Sequence, residues 1–369
     1  MKAFVRKHTA IFVFSLSDLV FLALFLLFRV SSSFAEAFTA TVGAACRFLL
    51  AKATGWLPFS LFELILYAAI LYALFLIVLA FICLARKLMK KKKTRYAGKC
   101  FLAVFFVFSI VFPLFCLTLA PSYNRKSAAF LLGIDPEKAD ENAVFSAFEI
   151  LLKESRLEAE KISVDENGVS FLPGDFSDRA DLVKSAADDF GRAHDFYPAN
   201  GAACKPLLIS PLMTYTHLTG VYGFFTGEAN VNTNFPDFVV LFTMAHESCH
   251  ARGIAPENEC NFLAFSLLFD SGDPYLRYSA CLYVLNDFAS ACRKSDKERY
   301  NALLSDFLSP QVSRDLAAYA DFMKPYEKSV AAKVASSVND AYLKSNGQKE
   351  GTVSYSLFVQ LIAAYLTQR

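Results

Sequence analysis

Three long apolar runs in the first third of the chain constrain its fold more than anything else. A helix needs roughly 20 apolar residues to cross the hydrocarbon core. The backbone there must satisfy its hydrogen bonds internally, so such runs can only be helices. Residues 10–28, 59–84 and 101–120 each meet the length. Asp18 and Glu63 lie within or near the start of these runs and are candidate functional intramembrane acids. Pro113 is tolerated inside the third. A cleaved signal is excluded as a reading of the first run, which is too long and lacks a small-x-small site after it.

Lys2, Arg6 and Lys7 precede the first run, and Arg86-Lys-Leu-Met-Lys-Lys-Lys-Lys-Thr-Arg95 follows the second. Basic flanks stay cytoplasmic. Three spans therefore place everything after about Pro121 outside the cytoplasmic membrane, in a multi-pass cell-membrane protein. Ala37–Lys52, between the first two runs, is predicted to form an amphipathic helix. The chain is 55% hydrophobic with 38 Phe, above the 45–50% apolar share typical of soluble domains. A net charge of +2 with its basic residues gathered between spans points to the lipid bilayer as partner and to no nucleic acid.

Residues 1–121 thus form a membrane anchor, and residues 122–369 read as one globular domain of mainly α-helical α+β class. Helices are expected over 136–162, with Asp135 as N-cap, and over 175–194. A short strand pair is expected around Asn167-Gly168 and a buried strand over 205–212. Gly220–Pro236 reads as a turn followed by a strand over about 228–233, which can serve as an edge strand for an extended peptide. Nine cysteines without a C-x-x-C pair argue against both a disulfide framework and a cysteine zinc cage.

Residues 238–252 form the helix that carries the chemistry. It contains His246-Glu247-x-x-His250. Residues four apart share a helix face, so two imidazoles there can hold one Zn²⁺. Glu247 beside the first ligand can take a proton from metal-activated water and pass it to a leaving amine. Gly253 suits a helix C-terminus and Pro256 the start of another helix. That second helix offers Glu257 or Glu259 as third ligand. Glu257 is favoured because Asn261, four residues on, can hydrogen-bond a ligating His. The apolar stretch 238–245 is too short to cross a bilayer, which argues for a site outside the lipid. His217, Tyr222, Arg277, Tyr278 and Tyr355 are candidate donors to a developing oxyanion, with Tyr278 first.

The chain resembles the bacterial membrane proteins grouped as domain of unknown function 3810. The resemblance rests on Leu57-Pro-Phe-Ser60, Tyr123-Asn-Arg125, Gly220-x-Tyr222…Phe225-Thr-Gly-Glu-Ala-Asn-Val-Asn-Thr233 and His246-Glu-x-x-His250-x-Arg-Gly253…Glu257-x-Glu-x-Asn-Phe262. Tyr342-Leu-Lys-x-Asn-Gly-Gln-Lys-Glu-Gly351 and Ser354-Tyr355 add to it. These proteins look like zinc metallopeptidases of the glutamate-ligand type. The resemblance implies a zincin-like outer domain, Glu257 as ligand at the head of an E-x-x-x-D pattern, and Asn261 where Asp usually stands. The expectation is a membrane-anchored zinc metallopeptidase acting on peptides or proteins, with Glu247 as general base. The alternative is a non-catalytic zinc-binding receptor or envelope assembly factor. An intact Glu247, and the lack of an obvious fourth ligand to close a structural site, favour the enzyme.

Overall fold

The computed structural model describes residues 2–88, 96–198, 204–346 and 355–368. Most of the basic run (89–95), half of the Tyr342–Gly351 stretch (347–351) and Ser354 lie outside the described residues, as does the side chain of Tyr355. The chain opens with α1 (Lys2–Val30), α2 (Ser32–Phe38), a π-helical turn, α3 (Ala44–Thr54), α4 (Leu61–Leu88) and α5 (Tyr96–Thr118). Among the described residues four stretches, not the expected three, are long and apolar enough to cross a membrane: Thr9–Val30, Ser32–Thr54, Leu61–Ile82 and Cys100–Thr118. The additional one arises because the expected amphipathic helix runs on, through the π-helical turn Thr39–Gly43, as a continuous helical stretch. Both its ends touch the globular part. Glu36 takes the Arg125 guanidinium at 2.5 Å, and Thr54 Oγ1 lies 3.1 Å from the Thr226 carbonyl.

The globular part continues with α6 (Ala128–Leu131), α7 (Glu141–Ala159), β1 (Ser163–Val164), β2 (Ser170–Phe171), α8 (Phe176–Ala193), β3 (Cys204–Pro206), α9 (Ser210–Met213), β4 (Gly220–Gly223) and β5 (Glu228–Val231). Helices α10 (Asp237–Ala251), α11 (Glu257–Phe269), α12 (Pro274–Ser295), α13 (Lys297–Phe307), α14 (Pro310–Met323), α15 (Val330–Ser345) and α16 (Tyr355–Thr367) complete it. The first long helix begins later than expected. Asp135 caps only a 3-10 turn at Pro136–Lys138, and Asp140 is the N-cap of α7, accepting from the Ala143 amide. Asp175, expected as the first residue of the second helix, instead caps α8 within a full capping box. The β1–β2 pair is antiparallel around Gly168, whose φ of +73° suits glycine. The strand expected over 205–212 ends at Pro206, because Pro206 and the α9 turn stop its ladder.

Helices α10, α11 and α12 pack on one another, with α7 and α16 closing the layer. Their apolar faces merge into one core that includes Phe148, Phe242, Phe265 and Phe288. The Phe242 and Tyr283 rings stack 3.6 Å apart and tie α10 to α12. Strands run in the order β3-β5-β4, with β3 parallel and β4 antiparallel to β5. The β5 residues are all buried, and the sheet lies against α10.

This small sheet is docked on the apolar helices by capping contacts in both directions. Helix N-termini leave amides without partners. The Glu228 carboxylate of β5 accepts the Leu61 and Phe62 amides at 3.1 and 2.7 Å, capping α4 from outside it. Glu63 of α4 in turn accepts the Leu208 and Ile209 amides at 2.9 and 2.8 Å, capping α9. Lys205 Nζ donates to the carbonyls of Thr54 and Leu57 past the end of α3. The β4–β5 turn fits between helices. A Cβ on Gly227 would meet Leu50 and Ala51, and one on Gly223 would meet Phe62. Thr118 Oγ1 at the end of α5 also reaches the Phe224 carbonyl, at 3.2 Å. Glu63 therefore works as a cap between elements. Asp18 accepts the Ser109 hydroxyl at 2.6 Å and joins α1 to α5.

Leaving a buried amide unsatisfied costs about 1–3 kcal/mol. Glu228→Ala strips two of them, so the thermal midpoint of the detergent-solubilised protein is expected to fall by several degrees, with Glu228→Gln intermediate. A midpoint equal to wild type in Glu228→Ala would show that these caps do not hold the sheet.

Candidate metal centre

Helix α10 ends where the metal motif ends, and the turn that stops it also builds the site. Gly253 adopts φ +90°, its amide donates to the His250 carbonyl at 3.0 Å, and the Ile254 amide donates to the Cys249 carbonyl at 3.1 Å. This is a Schellman closure, which needs a left-handed residue. Space also demands glycine: a Cβ there would strike the Arg47 guanidinium of α3. Arg47 is itself buried, donating to the carbonyls of Thr39 and Thr118 at 2.9 Å each. Arg125 Nη1 donates to the Gly253 carbonyl at 3.0 Å. Four residues after Gly253, Glu257 opens α11, which folds back along α10.

The result brings together His246, His250 and Glu257, with one ligand atom from each within 4.8 Å of the others. Among the described residues the group has these three members. Glu257 Oε2 lies 3.2 Å from His246 Nε2, and its Oε1 lies 3.6 Å from His250 Nε2. Each imidazole is held from behind. His246 Nδ1 is 2.7 Å from Asn261 Oδ1, and His250 Nδ1 is 2.9 Å from the Ile254 carbonyl oxygen. Both partners are acceptors, so each ring donates from Nδ1 and turns Nε2 inward, as ligating histidines do. Asn261 accepts this bond through its amide oxygen, without the charge an aspartate would bring. Cys260 Sγ sits 3.3 Å from His250 Nδ1, behind the ring.

The rival Glu259 is turned away. Its carboxylate accepts the Ala128 amide at 3.2 Å, and burial pushes its pKa up to about 7, against the pull of that amide and Arg125. It performs a capping role at α6.

Glu247 is buried, and its Oε2 has no hydrogen-bond partner among the described residues. Burial raises its pKa to about 8, opposed by His246 and aided by Glu257. Its other edge presses on β4, where a Cβ on Gly220 would lie within 2.5 Å of Glu247 Oε1. Gly220 is thus required by close approach. In the same cluster, burial lowers the pKa of His246, but Glu257 overrides it and lifts the group to about 9. Glu257 falls to about 2, because the two imidazoles outweigh its burial.

A cleft of about 890 Å³ opens over this group. One wall is β4 with its approach, Thr216–Tyr222, and the other is α15. The expected edge strand over 228–233 is instead the central, buried strand, paired on both sides. The edge on the cleft is β4. Thr219 O accepts the Asn232 amide at 2.8 Å, and antiparallel hydrogen-bonded pairs recur every second residue. The backbone groups of Gly220 and Tyr222 therefore point away from β5, and both residues line the cleft.

The oxyanion candidates separate cleanly. Tyr222 and His217 line the cleft. Tyr222 stacks on His250 with ring centres 6.3 Å apart, and its hydroxyl has no partner among the described residues. His217 sits at φ +59° with Nε2 2.9 Å from the Tyr326 carbonyl oxygen. Tyr278, the first choice from sequence, is in the core, where its hydroxyl donates to Asp315 at 2.5 Å. Arg277 is paired with Glu154 and Glu158. Neither lines the cleft, because α12 turns this stretch toward α7. Sequence reading passed over Tyr123 and Tyr342, whose hydroxyls meet 3.1 Å apart across the cleft. Their only signal was membership of two of the short motifs quoted for the family.

A model of a family described as a protein of unknown function (DUF3810) matches residues 38–363. The chain belongs to that family. No curated protein and no solved structure matches it.

The donor set of two neutral imidazoles and a carboxylate suits a divalent cation of the Zn²⁺ type. Elemental analysis is expected to find about one such ion per chain, lost in His246→Ala and Glu257→Ala and kept in Glu259→Ala. Retention in Glu257→Ala with loss in Glu259→Ala would reverse the assignment. Binding must displace the proton that His246 shares with Glu257, so affinity is expected to rise with pH up to about 9. A pH-independent affinity in competition titrations would contradict the shared proton.

Proposed function

We propose that the protein is a membrane-anchored metallopeptidase that hydrolyses peptide bonds in the cleft between β4 and α15. The observation that carries this reading is Glu247: a buried carboxylate beside three convergent ligands, with one oxygen lacking any partner among the described residues. A bound Zn²⁺ would supply a Lewis acid that acidifies water and polarises a carbonyl. His246, His250 and Glu257 would hold it. Glu247 would accept the proton of the attacking water at Oε2 and release it to the departing amine. Its raised affinity for protons suits a group that must carry one near neutral pH. An extended peptide would pair with the outward backbone groups of Gly220 and Tyr222. Tyr222, beside His250 with a free hydroxyl, replaces Tyr278 as the candidate donor to the oxyanion.

The reading as a non-catalytic zinc receptor or assembly factor requires a closed site, and only three ligands converge here among the described residues. Glu247→Gln is expected to keep the metal and lose at least about 100-fold in kcat/KM on a peptide library. A fully metallated wild type that cleaves no member of such a library would favour the receptor.

The globular part lies at the Val30 end of α1, the Leu61 end of α4 and the Thr118 end of α5. The basic residues lie at the opposite ends, so this part, taken as residues 122–369, would face the outside. Reporter fusions at Lys92 and Gln368 are expected to report the cytoplasmic and the outer side respectively. Both on one side would refute the arrangement.

A further inference from the structure

We infer that the metal cleft opens at the lipid surface itself, with the segment Leu208–Leu218 seated in the interfacial layer, and that its ligand is a peptide presented from the bilayer. The placement stands on two apolar helices that are pinned beside the cleft at two separate points. The peptide half rests on the peptidase reading above.

The first pin is Glu63. It is the third residue of the apolar stretch Leu61–Ile82. At 1.5 Å of rise per residue it lies roughly 3 Å inside the start of that stretch. Its carboxylate holds the amides of Leu208 and Ile209 at 2.9 and 2.8 Å. The α9 turn is therefore fixed at the level where α4 enters lipid. The second pin is α5. Its apolar stretch ends at Thr118, and the next residue, Leu119, already lines the cleft together with His246 and Glu247. A cleft with one wall residue directly following a membrane stretch cannot stand far above the bilayer.

The surface between these pins is apolar and uncovered. Leu208 is 76% exposed, Leu212 69% and Trp56 77%, with Phe59, Tyr215 and Leu218 also exposed. Six large apolar side chains in such positions form a patch that a soluble face would not leave open. The Trp56 indole N–H donates to the Ala53 carbonyl at 2.7 Å, leaving its ring pointing outward, as aromatic residues do at a headgroup boundary. The patch is continuous with the cleft. Thr216, His217 and Leu218 are both the end of this segment and the start of the β4 wall. Tyr215 meets Tyr326, just before α15, with ring centres 4.9 Å apart. Helix α15 then presents Val330, Val334 and Val338, all exposed, on the other side of the opening. A soluble peptide would have to reach a slot bordered by lipid, whereas a juxtamembrane or lipid-anchored chain is already there.

The chain has a single tryptophan, Trp56, so depth can be read directly. In full-length protein reconstituted into phosphatidylcholine vesicles, Trp56 fluorescence is expected to be quenched strongly by shallow-brominated lipid and weakly by aqueous acrylamide. Leu212→Trp in a Trp56→Phe background should behave the same way. Leu157→Trp in that background, on exposed α7, should show the reverse. Acrylamide quenching of the Leu212→Trp reporter equal to that of Leu157→Trp would overturn the placement. For the ligand, Leu208→Asp/Leu212→Asp is expected to lower cleavage of a vesicle-anchored peptide at least tenfold while leaving the same peptide in solution within twofold. Equal loss on both, or wild-type preference for the soluble form, would overturn the second half. Wild type cleaving neither peptide would instead sink the peptidase reading, and quenching would still decide the placement.

Discussion

The turn at Gly253 is the constraint on which the rest of the site depends. Its left-handed backbone stops α10, sends the chain into α11, and presents the Ile254 carbonyl to His250. It also forms the contact where the metal helices press on the buried Arg47 of α3. Arg47 and Arg125 surround this turn with cationic groups whose hydrogen bonds end on main-chain carbonyls and on Glu36. A side chain at 253 would meet both a conformational and a steric barrier. Ligand spacing and membrane attachment are thus coupled at one residue.

A second coupling runs through capping. Helix ends buried without partners are costly, and here each partner comes from the opposite part of the molecule. Glu228 of the sheet completes α4, and Glu63 of α4 completes α9. Neither acid is available for chemistry, although Glu63 was a candidate by its place near the start of an apolar run. The sheet is short, with four residues in its longest strand. It keeps its place because α10 covers one side and the apolar helices grip its turn. Gly220 then lets Glu247 lie against the edge strand, so that the acid and the unpaired edge of β4 share one wall of the cleft.

The convergence of His246, His250 and Glu257 was legible because helical geometry is local. Positions 246 and 250 share a face by period alone, a glycine and a proline mark the turn, and the Glu257–Asn261 spacing repeats the same logic on the next helix. Asn261 does meet His246, and Glu259 is drawn off by the Ala128 amide. The remainder of the cleft was not legible. Tyr278 was misplaced because a tyrosine's address in an apolar helix depends on which neighbour the helix turns toward. Here that neighbour is Asp315. Tyr123 and Tyr342 meet across 219 residues of chain, a distance no local pattern reaches. The strand roles were inverted for the same reason: alternation marks a strand, but only pairing partners decide which one is central.

By itself, the sequence determined the apolar helices, the helix that carries His246, Glu247 and His250, the glycine that ends it, and the family. All of these follow from length, period and backbone conformation within a few residues. Tertiary structure alone decided that β4 and not β5 forms the edge and that Glu63 and Glu228 act as caps. It also decided that four stretches rather than three have the make-up of membrane helices, and that Leu119 and Tyr123 border the metal cleft. These depend on contacts between segments far apart in the chain, whose energies come from burial and hydrogen-bond completion rather than from local propensity.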